Sequence, residues 1–354
     1  MAQTAHGPNG AAGTARPLAG ARAWLITDGK TGMDVQVAGV AEELGVLAEV
    51  KRVDPKGLWR FAAPWGPVQP SDRLGKPGSV FMPPWPDIAI ATGRLSIPYI
   101  RAIRKAAGPR TFTVVLQDPK TGPDTADLIW VPAHDRRRGF NVITTLTAPH
   151  SFTAERFARL RQSPPPAIAA LPAPRIAVVL GGKNAVYRFT EEDDQRFGMA
   201  LKSLAALGVS FMVTPSRRTH KRLLDVVTWA TAGSPRMIWD GSGDNPYPDF
   251  LAQADSLIVT ADSVNMTGEA TATGRPVYVF APSGGSAKFS RFHEALHAYG
   301  ATRPLPASFE RLESWSYAPL LSAHVIAAEI EQRWSKRRQA LPGLFHDGRK
   351  TAQD

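Results

Sequence analysis

Residues 257–280 read LIVTADSVNMTGEATATGRPVYVF. A short apolar run, Leu257–Thr260, suits a buried strand, and Ala261–Asn265 breaks it. Met266–Thr273 has the length of one or two helical turns, Gly274 ends it, and Pro276–Phe280 is a second strand. The result is a β-loop-α-β unit, which commits the chain to a parallel sheet. It leaves Asp262, Ser263 and Asn265 at a strand's carboxyl end and Glu269 on the next helix. In open α/β sheets ligands sit in that crevice, where helix N-termini offer free N–H groups to anions. A carboxylate there can accept hydrogen bonds from both hydroxyls of a ribose. It can equally be a surface glutamate in an ordinary crossover.

The same alternation runs through two halves. In the first, Ala23–Thr27, Ala48–Val53, Asp87–Ala91, Phe112–Leu116, Leu128–Pro132 and Val142–Leu146 are expected strands, with helices at Asp34–Leu44 and Ile97–Ala107. The Pro-, Gly- and Trp-rich stretch Trp59–Pro86 is expected to be irregular. In the second, strands are expected at Arg175–Leu180, Val209–Thr214, Arg236–Asp240, Leu257–Thr260 and Pro276–Phe280. Helices are expected after Thr190, whose acidic first turn suits the dipole, and at Arg218–Ala230 and Lys288–Tyr299. Between the halves, Gln162–Pro174 holds five prolines and reads as a linker. Pro319–Arg338 is an amphipathic helix long enough to return to the first half. The expected organisation is a disordered leader at 1–20, a first Rossmann-like domain at 21–160 completed by helix 319–340, a linker at 161–174 and a second Rossmann-like domain at 175–318. Strand–helix alternation in both halves predicts an α/β fold of two doubly wound parallel sheets facing a cleft.

A length of 354 residues suits two domains. No apolar run reaches the ~18–20 residues of a membrane span. The lack of cysteine excludes disulfides, thiolate metal sites and thiol nucleophiles, and fits a cytoplasmic protein. The net charge of +11 is uneven: residues 21–160 carry 19 Lys/Arg against 13 Asp/Glu, whereas 175–318 carry 15 against 14. A basic first half points to anionic partners such as a membrane surface, and the expected location is cytoplasmic or peripheral at a membrane's inner face. No aromatic–basic interleaving or helix-turn-helix signature supports specific nucleic-acid binding.

Each half opens with a strand running into glycine: Asp28-Gly29-Lys30-Thr31-Gly32 in the first, Gly181-Gly182-Lys183-Asn184 in the second. Glycine lets backbone N–H groups approach a phosphate, and the lysines add charge. A tight β-to-α turn alone would also explain them. Gly29-Lys30-Thr31 is not a P-loop, because the required upstream glycine is Trp24. Neither loop has the full dinucleotide fingerprint. His293-Glu294-Ala295-Leu296-His297 has the spacing of a zinc peptidase, with Gly300 in register. Its third histidine position is Arg303, which cannot ligate zinc, and Glu310, Glu313 and Glu329 are the only substitutes; no metal is expected. Ser216 and Arg217 follow a strand at the crevice edge, and Gln117 and Asp118 end a strand facing it from the other side. His134 and Arg136–Arg138 read as a solvated basic loop.

Together, LITDGKTGMDVQVAGVAEELG (25–45), VLQDPK (115–120), VLGGKN (179–184), TPSRRT (214–219) and TADSVNMTGEATATGRPVYVF (260–280) resemble the mitochondrial-fission ELM family, and more broadly the GT-B glycosyltransferases. The resemblance covers residues 22–340. It implies a nucleotide-sugar donor, and no further cofactor, on the second domain. Gly181, Gly182, Lys183 and Asn184 would then meet the diphosphate, with Ser216, Arg217, Asp262, Ser263, Met266 and Thr267 nearby, and Glu269 would hold the ribose. Gly29, Lys30, Gly32, Gln117 and Asp118 would face the acceptor, and Asp28 or Asp34 would be the base. Met33 stands where several GT-B enzymes have a histidine. Three readings are therefore open: a metal-independent glycosyltransferase acting on a membrane or envelope acceptor; a non-catalytic adaptor that kept the fold and binds a protein partner; and, as a minor alternative, a zinc hydrolase through His293-Glu294-Ala295-Leu296-His297.

Overall fold

The computed structural model describes residues 16–344. Twelve strands are β1 (Arg22–Thr27), β2 (Leu47–Arg52), β3 (Ile88–Thr92), β4 (Phe112–Leu116), β5 (Leu128–Pro132), β6 (Val142–Thr145), β7 (Arg175–Leu180), β8 (Ser210–Pro215), β9 (Arg236–Ile238), β10 (Ser256–Thr260), β11 (Val277–Phe280) and β12 (Thr302–Pro304). The α-helices are α1 (Thr31–Leu44), α2 (Gly57–Ala62), α3 (Ile97–Ala107), α4 (Ala154–Gln162), α5 (Pro166–Ala169), α6 (Glu191–Ala205), α7 (Lys221–Ala230), α8 (Tyr247–Gln253), α9 (Val264–Thr271), α10 (Ala287–Ala298) and α11 (Ser322–Ala340).

The strands form two six-stranded sheets, ordered β2-β1-β3-β4-β5-β6 and β12-β11-β10-β7-β8-β9. Every strand pairing in both is parallel. In each sheet the chain reverses its direction of growth beside the first strand, between β1 and β3 and between β7 and β10. These are the positions where such sheets open a crevice.

Alternate residues along a strand face opposite sides, so a sheet covered on both faces needs apolar residues at nearly every position. Ala23 and Leu25 join α1 and α11 in one core, while Trp24 and Ile26 join α3 in another. In the second sheet Ile176, Val178 and Leu180 pack on α6 and α7, and Ala177 and Val179 face α8 and α9. Helix α11 belongs to the first sheet: Ile326, Ile330 and Trp334 share its core with Val37, Val40 and Leu44 of α1.

Several elements depart from the sequence expectation. Leu18, which falls in the expected leader, is fully buried against the first core; residues 1–15 of that leader lie outside the described residues. Helix α7 begins at Lys221 rather than Arg218 because residues 216–219 close a turn, in which Thr219 N–H donates to Ser216 O at 3.0 Å and Ser216 N–H to Thr219 Oγ1 at 2.9 Å. Helix α9 begins early, at Val264, because Ser263 caps it by accepting from Met266 N–H at 3.3 Å. The short elements α2, α4, α5, α8 and β12 were not anticipated.

Candidate functional site

The carboxyl ends of the two sheets face each other. An atom added as Cβ to Gly32, in the first turn of α1, would lie 3.5 Å from the Asn265 side chain in the first turn of α9. Beyond β5, Asp135 pairs with Lys288 of α10 at 2.8 Å, and the His134 ring meets Phe292 edge-on with centroids 5.6 Å apart. Helices α1 and α9 thus bring their amino-terminal ends to one crevice.

On the second-domain side, the glycine loop is closely packed. A Cβ on Gly181 would fall 2.1 Å from Asp262 Oδ1, and one on Gly182 would fall 1.9 Å from Arg218 O. Gly181 N–H donates to Thr260 Oγ1 at 2.8 Å and Gly182 N–H to Asp262 Oδ2 at 3.0 Å, so both amides are engaged inside the fold. The Asp262 side chain is fully buried, pairs with Arg218 at 2.9 Å and accepts from Thr260 Oγ1 at 2.6 Å. Asn184 folds the loop: its Oδ1 accepts from Val186 and Tyr187 N–H at 2.8 Å, and its Nδ2 donates to Asp262 O. Ser216 serves the turn described above. Thr267 is buried with its hydroxyl on Ser263 O, and Met266 packs against the core. Lys183 and Arg217 remain exposed, and no side-chain partner is assigned to either among the described residues.

Glu269 lies on the second turn of α9, half-buried. Its Oε2 accepts from the Tyr247 hydroxyl at 2.5 Å. Burial pushes its carboxyl up to about 7, against the smaller opposing pulls of Tyr247 and Arg156. Burial likewise holds the Tyr247 phenol well above its ordinary value. The surroundings come from the interdomain segment: Phe152 meets Tyr247 edge-on at 6.0 Å, stacks on Phe157 at 5.2 Å and lies under the Arg156 guanidinium at 4.8 Å. His150 is buried beside them, accepts from Phe152 N–H on Nδ1 at 3.3 Å, and is pushed down by burial to about 4. Tyr247, His150, Phe152 and Arg156 were missed in the sequence. The one available signal was Pro246-Tyr247-Pro248, a rigid aromatic turn shortly after a strand.

On the first-domain side, Asp28 is nearly buried. Oδ2 pairs with Lys30 at 2.7 Å, while Oδ1 has no hydrogen-bond partner among the described residues. Asp34 accepts from the Thr27 hydroxyl at 2.7 Å and reaches Arg52 at 3.4 Å. Gly29 takes φ +80, which permits the turn after β1. Met33 sulfur accepts from Thr92 Oγ1 at 3.3 Å and from Gln117 Nε2 at 3.4 Å. Gln117 and Lys120 adopt φ +81 and +58, a conformation that side chains other than glycine rarely take. Asp118 between them binds Lys120 and Arg137, each at 2.8 Å. Burial would raise its carboxyl, but those two cations hold it below the ordinary value.

The residues of the zinc-like pattern have other partners. The His293 and His297 rings hydrogen-bond to separate backbone carbonyls, Ala261 O and Thr302 O, each at 2.9 Å. Arg303 pairs with Glu313 and stacks on Trp315. Among the described residues no group of three His, Asp or Glu is arranged to hold a metal.

Two doubly wound domains with opposed carboxyl edges and a carboxyl-terminal helix returned to the first define a GT-B-like α/β protein. The family model described as Mitochondrial fission ELM1 matches residues 31–334, and the chain belongs to that family. Mitochondrial fission protein ELM1 of Arabidopsis thaliana is 28% identical over 319 residues, spanning 83% of this chain and 71% of that protein. An uncharacterized protein of Rickettsia prowazekii (strain Madrid E) is 35% identical over 161 residues, 44% of this chain and 45% of that protein. The glycosyltransferase SnogD of Streptomyces nogalater superposes with a TM-score of 0.49 at 14% identity, over 92% of this chain and 100% of that one. UDP-GlcNAc 2-epimerase of Methanocaldococcus jannaschii gives 0.48 at 8% identity, over 88% and 99%. These superpositions are too loose to bring any residue's role to this chain.

Proposed function

We propose that the chain binds a nucleoside diphosphate, carried as a nucleotide-activated sugar, in the crevice at the β7–β10 switch point. The observation behind this reading is Glu269. It is a half-buried carboxylate on the helix after the switch-point strand, with one oxygen on Tyr247 and, among the described residues, no cation paired to it at contact distance. A structural carboxylate in such a place is ordinarily paired, whereas one that receives a ribose must keep acceptor capacity. Because the Gly181 and Gly182 amides are already engaged, the phosphates would meet Lys183, Arg217 and the first-turn amides of α9. Arg218 would join them if it released Asp262.

Transfer of the sugar would need a base in the first domain. Asp28 suits this better than Asp34, since its Oδ1 is buried and has no partner among the described residues, while both oxygens of Asp34 have neighbours. A positioned base of this kind contributes about 10²–10⁴-fold to rate. The adaptor reading is favoured by a different observation: the tight packing of Gly181 and Gly182 on Asp262 and Arg218 gives the glycines a purely structural reason to be there.

Thermal stability measured against a panel of nucleoside diphosphates and nucleotide-sugars separates the two readings. A ligand at ~100 times its dissociation constant stabilises by about 2.7 kcal/mol. We expect one base to stabilise the wild type and Glu269→Ala to lose the effect. No shift with any nucleotide would leave the adaptor reading in its place.

A further inference from the structure

Helix α2 buries none of its six residues, although Leu58, Trp59, Phe61 and Ala62 are apolar. Leu58 is 83% exposed, Phe61 80%, and Trp65, just past the helix, 66%. This apolar tip is held firmly. Trp65 Nε1–H donates to Lys120 O at 3.1 Å, and Arg101 donates to Trp65 O at 2.9 Å and to Pro64 O at 3.3 Å. Arg94 donates to Ala63 O. The side chains are therefore presented on fixed backbone rather than waved on a loose loop.

Trp65 also stands on the rim of a groove of about 1590 Å³. Its charged lining is Arg73, Arg101, Arg104, Lys105 and Lys120 against one acid, Asp124. Arg101 and Arg104 support the fold and Lys120 pairs with Asp118. Arg73 and Lys105 are exposed, and neither has an ion-pair partner assigned among the described residues. An apolar tip beside cations is the composition of an element that lies in a membrane interface, whereas the core of a protein–protein interface is depleted of charge. No helix among the described residues is long and apolar enough to cross a bilayer, so attachment here would be peripheral.

We propose that α2 and the basic groove beside it dock on an anionic lipid surface. Leu58, Phe61 and Trp65 enter the headgroup–acyl boundary, and Arg73 and Lys105 meet the lipid phosphates. This surface is separate from the crevice at Glu269, and its fate is independent of nucleotide binding.

The test is flotation of the full chain with vesicles of phosphatidylcholine alone and of phosphatidylcholine mixed with phosphatidylserine. We expect binding to the mixed vesicles only, weakening as salt rises. Paired substitution Leu58→Ser and Phe61→Ser should weaken it about tenfold or more, because two large apolar side chains leave the boundary. Arg73→Glu with Lys105→Glu should weaken it by at least about fivefold per charge. Arg311→Glu, the same charge reversal made once on the second domain, should leave it within about twofold. All the altered side chains are exposed, and circular dichroism confirms that each variant is folded. Failure of the wild type to float, equal flotation with both vesicle types, or flotation unchanged by both paired variants would overturn the proposal. The first of these would point instead to a protein partner for the apolar tip.

Discussion

At the residue scale, burial moves two ionisable groups near the domain junction in ways that oppose each other with pH. Glu269 is raised from 4.5 to about 7, so the unfolded chain gives up this proton first and stability falls as pH rises through that window. His150 is lowered from 6.5 to about 4, so its contribution is fully present above 6.5 and is lost as pH falls toward 4. Over the shared range the slopes largely cancel. Glu269→Gln removes one of them. Relative to wild type, the variant should gain on the order of 1 kcal/mol per pH unit as pH rises from 4.5 to 7, read by urea unfolding at several pH values. A constant difference across that range would mean that Glu269 is better solvated than its surroundings imply. The place of Glu269, on the helix that follows a strand and loop, was legible in the sequence. Its partners were not. Tyr247 comes from a two-proline turn and His150, Phe152 and Arg156 from the run between domains, and only the fold brings these stretches together.

At the scale of elements, periodicity and caps were informative where packing and local chemistry agree. Ile97–Ala107 was read with its bounds intact, and Thr190 closes a capping box with Asp193 at the start of α6. Where side chains bond to nearby backbone, boundaries slipped, as with the turn made by Ser216 and Thr219. Helix α11 shows how an element can be legible without its anchor being so. Its length and apolar spacing suggested a return to the first half. Nothing in the sequence paired Arg337 with Asp127, which it grips with both terminal nitrogens at 2.9 and 2.7 Å. The buried apolar face of α11 carries its share of the first core. Ile330→Ala should cost about 2–5 kcal/mol in a denaturant titration. A cost below 1 kcal/mol would mean that α11 is only loosely docked.

At the scale of the whole molecule, the alternation of apolar runs with helices was enough to give two parallel sheets, because a parallel pair requires a crossover and the crossover must cover a face. The crevice edge of each sheet followed from that topology. The engagement of the glycine amides by Thr260 and Asp262 did not, since a glycine that makes room for a carboxylate and one that makes room for a phosphate look alike in sequence. This is why the ligand claim rests on Glu269 rather than on the glycine loop. Calorimetric titration of a ribonucleoside diphosphate and its 2′-deoxy counterpart, into wild type and Glu269→Ala, tests that claim directly. If Glu269 holds the ribose hydroxyls, the wild type should prefer the ribonucleotide by about 1–3 kcal/mol and the variant should bind both alike. Equal binding of the two by the wild type, or a preference that survives Glu269→Ala, would contradict it.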